Sequence, residues 1–275
     1  MYFSTANYQF ADKDQLPNAV GSPAGCGLNG ACLGGKPVTY KNRKTIADVL
    51  IESGRTFTVY EDGYAHALSQ APKCETIPPD CTYSPIVHPV AAQGCKLDSS
   101  DVPFNYYANF ADGSHTKDFA ELAKDLVNGT LPTFSYVKAR EFRNEHPNVS
   151  TITDGEVFVA GVVNSVLSSS YKDKTLVVLT WDEGGGFFDH VAPPPSIDTD
   201  DIGNLVPYGT RVPMLVIGRF AKKGAVSHVS MEHSSIVRFL EWNFVGPVGQ
   251  LGGNDAKVAN IGSMLDPAQT GLTVP

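Results

Sequence analysis

The run Leu176-Val177-Val178-Leu179-Thr180 constrains the fold more than any other segment. It is unbroken by a charged residue, rich in β-branched side chains and too short for a buried helix. Such a run reads as a strand of the buried, parallel kind. Met214-Leu215-Val216-Ile217 is a second one. Helical spacing recurs around them. Val159, Val162, Val163, Val166 and Leu167 follow Asp154, an expected N-cap, and Ile236, Val237, Phe239 and Leu240 follow Ser234 or Ser235 in the same role. Earlier in the chain, Ile46, Val49 and Leu50 lead to Gly54, a C-terminal stop. Phe119, Leu122 and Leu126 form one face of a helix expected over Lys117–Val127, closed by Gly129 and Pro132. Thr56–Tyr60 and Thr133–Val137 read as short strands. Alternating helices and strands predict an α/β fold, a mostly parallel sheet flanked by helices, in a single domain over 1–275. Residues 1–43 read as loop, and 65–105 as a loop-rich, Cys-containing lobe or insertion.

A chain of 275 residues buries a full core, and 42% hydrophobic with 18% charged residues is far from a disordered profile. A net charge of -8 argues against a nucleic-acid partner, whose phosphates demand Lys/Arg clusters. No apolar run reaches transmembrane length, and Met1–Gln15 lacks the basic and apolar regions of a signal peptide. Cys26, Cys32, Cys74, Cys81 and Cys95 show no zinc-site spacing. Two disulfides and a leftover thiol would suit an exported protein; five reduced thiols are the other reading.

Strand 176–180 runs directly into Trp181-Asp182-Glu183-Gly184-Gly185-Gly186-Phe187-Phe188-Asp189-His190. In an open α/β sheet, ligands gather beyond the carboxyl ends of strands. Adjacent carboxylates there, followed by three glycines, suit a divalent cation bound close to backbone; Mg, Ca, Mn and Zn all take oxygen ligands. An acidic turn using glycine for positive φ fits the same spacing.

The segment TWDEGGGFFDHVAPPP resembles the signature Y-D-E-H-G-G-F-(F/Y)-D-H-V-x-P-P of a phosphoesterase family. That family contains bacterial phospholipases C, plant non-specific phospholipases C and bacterial acid phosphatases. Three further segments resemble it in order: Glu145-His146-Pro147 with Gly155-Glu156; Arg211-Val212-Pro213 with Phe220–Gly224; and Glu232-His233-Ser234-Ser235-Ile236. The match is close over 131–245 and loose over 1–130.

The resemblance implies an alkaline-phosphatase-like α/β fold and a metal-dependent hydrolase acting through a covalent phosphoenzyme. Asp182 and Glu183 match the pair that closes a site for one divalent metal ion. His146 matches a histidine near the substrate phosphate, and His190 and His233 are further catalytic candidates. Glu145, Gly184, Gly185, Asp189 and His228 are candidate substrate-binding residues. The expected partner is a small phosphate ester or a phospholipid headgroup, in a secreted or periplasmic protein. His66, His88 and His115 match no motif and are expected in solvent.

Family members begin with a strand and an E-N-(R/H)-S-F-D stretch, then a nucleophile before P-N-R-x-Y. Met1–Ala6 resembles the residues just after it. The expectation is therefore a fold lacking its first strand, with the nucleophile upstream of Met1 and neither Ser4 nor Thr5 in that role. A truncated, non-catalytic metal- or ligand-binding remnant is the alternative.

Overall fold

A computed structural model describes residues 4, 39–70, 76, 78, 95–147, 149–199 and 204–270. They fall into two compact units, one built mainly on Arg55–Ser165, the other on Lys44–Gly54 with the described part of 166–275 and the wholly buried Ser4.

The first unit holds a parallel three-stranded sheet flanked by helices, so the chain is α/β. Strand β1 (Phe57–Glu61) lies between β2 (Thr116–Asp118) and β3 (Phe134–Lys138), in the order β2-β1-β3. Val59 pairs with Thr116 and Tyr136, and Glu61 with Asp118 and Lys138. Phe57, Val59, Tyr60 and Glu61 are all buried, as a central parallel strand covered on both faces requires. Phe57 packs on Phe104, Phe110 and Phe134 at ring separations of 4.7, 5.7 and 5.4 Å. His115 joins this cluster against Phe57 and Phe110, so it is packed rather than solvent-exposed.

Helix α3 (Ala120–Asn128) connects β2 to β3 and buries Leu122 and Leu126, as their spacing predicts. Gly129, at φ 75°, ends it in the left-handed conformation. Its buried Asp125 accepts from the Tyr60 hydroxyl at 2.5 Å, from Lys117 Nζ at 2.6 Å and from the Thr130 hydroxyl at 2.6 Å. Burial alone would raise its pKa; these donors outweigh that and hold it below the usual value.

Most of the 65–105 lobe lies outside the described residues, as do His88 and most of 1–43. What is described includes α2 (Tyr64–Gln70), where His66 is half-buried, and 3-10 turns at Ser99–Asp101 and Pro103–Tyr106. Cys95 is disulfide-bonded; the other cysteines fall outside the described residues. Near the turns, burial followed by repulsion from Asp101 raises Asp98 to about 6. Burial, then Asp98 and Asp101, raises Glu141 to about 7. Raised carboxyl pKa values stabilise the fold fully below the unfolded values and lose that contribution as pH climbs towards 6–7. Glu141→Gln is therefore expected to raise the thermal midpoint at pH 8 relative to the parent and to leave it unchanged at pH 4.

Helix α4 (Ile152–Leu167) begins earlier than Asp154. The Thr151 hydroxyl accepts from the Asp154 N–H while the Asp154 carboxylate accepts from the Thr151 N–H and hydroxyl. Asp154 is the inward-reaching partner of a capping box whose cap is Thr151.

In the second unit, helix α1 (Ile46–Glu52) packs on α5 (His233–Phe244), and short α6 (Pro267–Thr270) lies near the end. Glu232 caps α5, with Ser235 as its third-position partner, so neither Ser234 nor Ser235 is the cap. Strand β4 (Val177–Thr180) pairs with β5 (Met214–Ile217) antiparallel, from Val177↔Ile217 to Thr180↔Met214, and both are half-exposed. The parallel, fully buried reading of 176–180 does not hold for this pair. The described residues of 181–213 carry no crossover helix, and β5 runs along β4 in the opposite direction.

Candidate functional site

The loop leaving β4 is tied together mostly by its own atoms. Thr180 Oγ1 donates to the Pro213 carbonyl at 2.9 Å, fixing the end of β4 to the approach of β5. Asp182 Oδ1 accepts from the Glu183 N–H at 3.1 Å, and Glu183 Oε2 from the Gly185 N–H at 2.7 Å. Gly185 and Gly186 sit at φ 69° and 72°, where side chains are strained, and they reverse the chain. Gly184 has a different requirement: a Cβ there would lie 2.1 Å from Thr210 Oγ1.

Asp189 closes the loop. Its Oδ1 accepts from Val191 N–H at 3.0 Å and Arg211 Nη2 at 2.9 Å. Its Oδ2 accepts from Arg211 Nε at 2.8 Å and Arg211 N–H at 3.1 Å. The Arg211 guanidinium, then the Val191 and Arg211 backbone N–H groups, hold this carboxyl far below the usual range. Gly184, Phe187, Phe188, Asp189, Thr210 and Arg211, with Val212 and Pro213, line a cleft of 430 Å³. Phe187 is 69% and Phe188 91% exposed.

His233, the first residue of α5, places Nε2 2.8 Å from the Trp181 carbonyl. A carbonyl only accepts, so Nε2 carries the hydrogen. The imidazole thereby holds the residue just before Asp182. His190 has an 85% exposed side chain, 3.9 Å from Asp189, and does not line the cleft. His228 lies exposed in the loop before α5, also outside the cleft lining.

Glu145 and His146 belong to the first unit. Glu145 is the non-glycine residue with positive φ (71°) among the described residues. Its N–H donates to Ser150 Oγ at 2.7 Å. Its side chain crosses the start of α4 so closely that a Cβ on Gly155 would meet Glu145 Cγ at 2.2 Å. The absence of a Cβ at Gly155 leaves room for the Glu145 side chain. Gly155→Ala is expected to destabilise the protein by about 1–3 kcal/mol, as overpacking does. Adding Glu145→Ala should recover part of that loss, read from denaturant midpoints. His146 is exposed; its N–H donates to Asn144 Oδ1 at 2.9 Å, and its Nδ1 lies 2.8 Å from the Pro147 carbonyl. Nδ1 is thus the protonated nitrogen in the neutral ring, leaving Nε2 for a ligand.

Asp182 and Glu183 each keep one carboxylate oxygen without a hydrogen bond among the described residues, and both side chains are exposed. Hard carboxylate oxygens of this kind suit a divalent cation in chemistry. Among the described residues, no group of three or more His, Cys, Asp or Glu side chains converges as a full metal centre. Asp182 and Glu183 are two such side chains, one fewer than a group of three.

The model of the phosphoesterase family matches residues 6–245. The chain belongs to this family. It is 34% identical over 181 residues to the non-hemolytic phospholipase C of Burkholderia pseudomallei, covering 54% of this chain and 26% of that protein. It is 30% identical over 165 residues to phospholipase C B of Mycobacterium tuberculosis, covering 53% and 32%. A plant relative, non-specific phospholipase C6 of Arabidopsis thaliana, is 31% identical over 179 residues, covering 51% and 34%. The matched stretches thus span about a quarter to a third of these relatives.

Arg211 and Thr210 are the site residues that single-position reasoning did not pick out. Arg211 stood in the sequence only as the first letter of an R-V-P motif. Its partner Asp189 is 22 residues away.

Proposed function

We propose that the protein hydrolyses phosphate esters at a divalent-cation centre to which Asp182 and Glu183 contribute oxygen ligands. The observation that carries this reading is the pair of exposed carboxylates at the end of β4, each with one oxygen left without a hydrogen bond among the described residues, beside a cleft in a phosphoesterase-family chain. A bound cation supplies charge neutralisation at a phosphoryl oxygen and lowers the pKa of an attacking hydroxyl. The residues of this chain would position such a cation. Glu183 and Asp182 orient their oxygens through the loop N–H groups, and His233 holds the Trp181 carbonyl. The covalent phosphoenzyme route needs a Ser or Thr nucleophile, and none is assigned among the described residues.

For substrate we propose a phosphodiester such as a phospholipid headgroup, with small phosphomonoesters as the acid-phosphatase counterpart. The apolar, exposed Phe187 and Phe188 beside the carboxylates favour an ester with an apolar portion. The Cys95 disulfide supports an oxidising compartment and hence export. No helix of the described residues is long and apolar enough to cross a membrane.

The test is turnover of p-nitrophenylphosphorylcholine and p-nitrophenyl phosphate by the purified protein, with and without a chelator. Turnover lost on chelation and restored by a divalent cation supports the proposal. Unchanged turnover in chelator removes the cation from it. Cation binding without turnover of either ester favours the non-catalytic binding remnant.

A further inference from the structure

We infer that Arg211 is a positioning residue for the Asp182–Glu183 loop, acting through Asp189, and not a cation offered to substrate phosphate. This rests on the proposed role of the two carboxylates as cation ligands.

Arg211 lies on the approach to β5, whose partner strand β4 launches the loop. Two guanidinium N–H groups and the main-chain N–H of this one residue all reach the Asp189 carboxylate. Val191 N–H supplies a fourth donor, so each Asp189 oxygen accepts twice. A carboxylate filled in this way is poorly placed to bind a ligand. Its function is to return the loop to the segment from which β5 begins. The apex of the loop rests on the same segment, because Gly184 lies against Thr210. Thr210 and Arg211 thus support the loop at Gly184 and Asp189, while His233 grips the Trp181 carbonyl at its start.

Arg211 is 58% exposed, so its bond to Asp189 contributes little to global stability. Its effect is local. Partners that orient metal-binding side chains change metal affinity or activity by roughly ten- to a hundredfold when removed. A lysine cannot reproduce the planar two-pronged contact, so it restores the charge without the geometry.

The experiment compares the parent with Arg211→Ala, Arg211→Lys and Asp189→Asn. In the cation-free protein, hydrogen exchange of the Gly185 and Phe187 amides reports loop order. Exchange at the Leu179 and Leu215 positions of the β4–β5 ladder reports the scaffold. Mn²⁺ affinity is then measured by titration. The expected result is faster exchange in the loop alone and a Mn²⁺ Kd raised roughly ten- to a hundredfold, with lysine only partly restoring either. If Arg211→Ala disturbs the ladder too, Asp189→Asn carries the comparison, since it keeps the carboxamide shape. Unchanged loop exchange and unchanged Mn²⁺ affinity in both Arg211→Ala and Asp189→Asn overturn the inference. So does a raised KM for the phosphate ester with an undisturbed loop, which would make Arg211 a substrate contact. Asp182→Ala serves as the separate control. If that variant keeps parental Mn²⁺ affinity, the cation reading fails, while the exchange data still judge the Arg211 clamp.

Discussion

Asp182→Ala is expected to lower kcat/KM for p-nitrophenylphosphorylcholine by at least about a hundredfold while leaving the fold intact. The reasoning is local. The Asp182 side chain is exposed and, among the described residues, makes one hydrogen bond, accepting from the adjacent Glu183 N–H within its own loop. Removing it leaves the Glu183–Gly185 bond, the positive-φ glycines and the four-donor Asp189 closure in place. An exposed substitution of this kind changes stability by only a few tenths of a kcal/mol, roughly. A large kinetic loss with an unchanged thermal midpoint is thus the signature of a lost ligand. Asp182→Asn, which keeps the shape and removes the charge, should fall near the alanine variant. Parental kcat/KM in either variant would take Asp182 out of the chemistry.

The largest expected loss of stability comes from Asp125→Ala, at about 3 kcal/mol. Asp125 lies within α3 and is almost fully enclosed, yet remains ionised because three side-chain donors converge on it. Its removal strips an acceptor from the buried Tyr60 hydroxyl on the central strand and a counter-charge from Lys117 on the edge strand. It therefore weakens the attachment of α3 to β1 and β2 together. Tyr60→Phe should cost less, about 1 kcal/mol, because the carboxylate keeps its other donors. Urea denaturation of both variants measures the difference. An Asp125→Ala cost no greater than that of Tyr60→Phe would contradict this account of the sheet–helix contact.

The alternation of strands and helices was readable because apolar spacing determines which faces are buried. Leu122 and Leu126 are buried where a helical period puts them, and Gly54 and Gly129 stand at helix ends in the left-handed conformation. Strand β2 was invisible: Thr116, Lys117 and Asp118 have no apolar signature, and only pairing with Val59–Glu61 makes them a strand. Helix α2 was hidden for a similar reason, with two buried residues in seven. The direction of pairing between β4 and β5 could not be read either, because continuous apolar runs suit both arrangements. Capping was misread by two or three residues at α4 and α5. Ser, Thr, Asp and Glu all take either half of a reciprocal cap, and spacing does not say which half each residue fills.

At the site, Asp182, Glu183 and the glycines were legible as a loop leaving a strand, and Gly185 and Gly186 have the backbone that glycine permits. The Asp189–Arg211 clamp and the His233–Trp181 contact were not, since each joins positions far apart in sequence. Glu145 was legible as a motif letter, though its positive φ and its contact with Gly155 are properties of the folded turn.

The most direct measurement of the central claim is the stoichiometry of Mn²⁺ binding to the parent protein, Asp182→Ala and Glu183→Ala, followed by electron paramagnetic resonance. One Mn²⁺ per chain in the parent, and weakened or absent binding in both variants, is the predicted result. An equally tight site in all three proteins would contradict it.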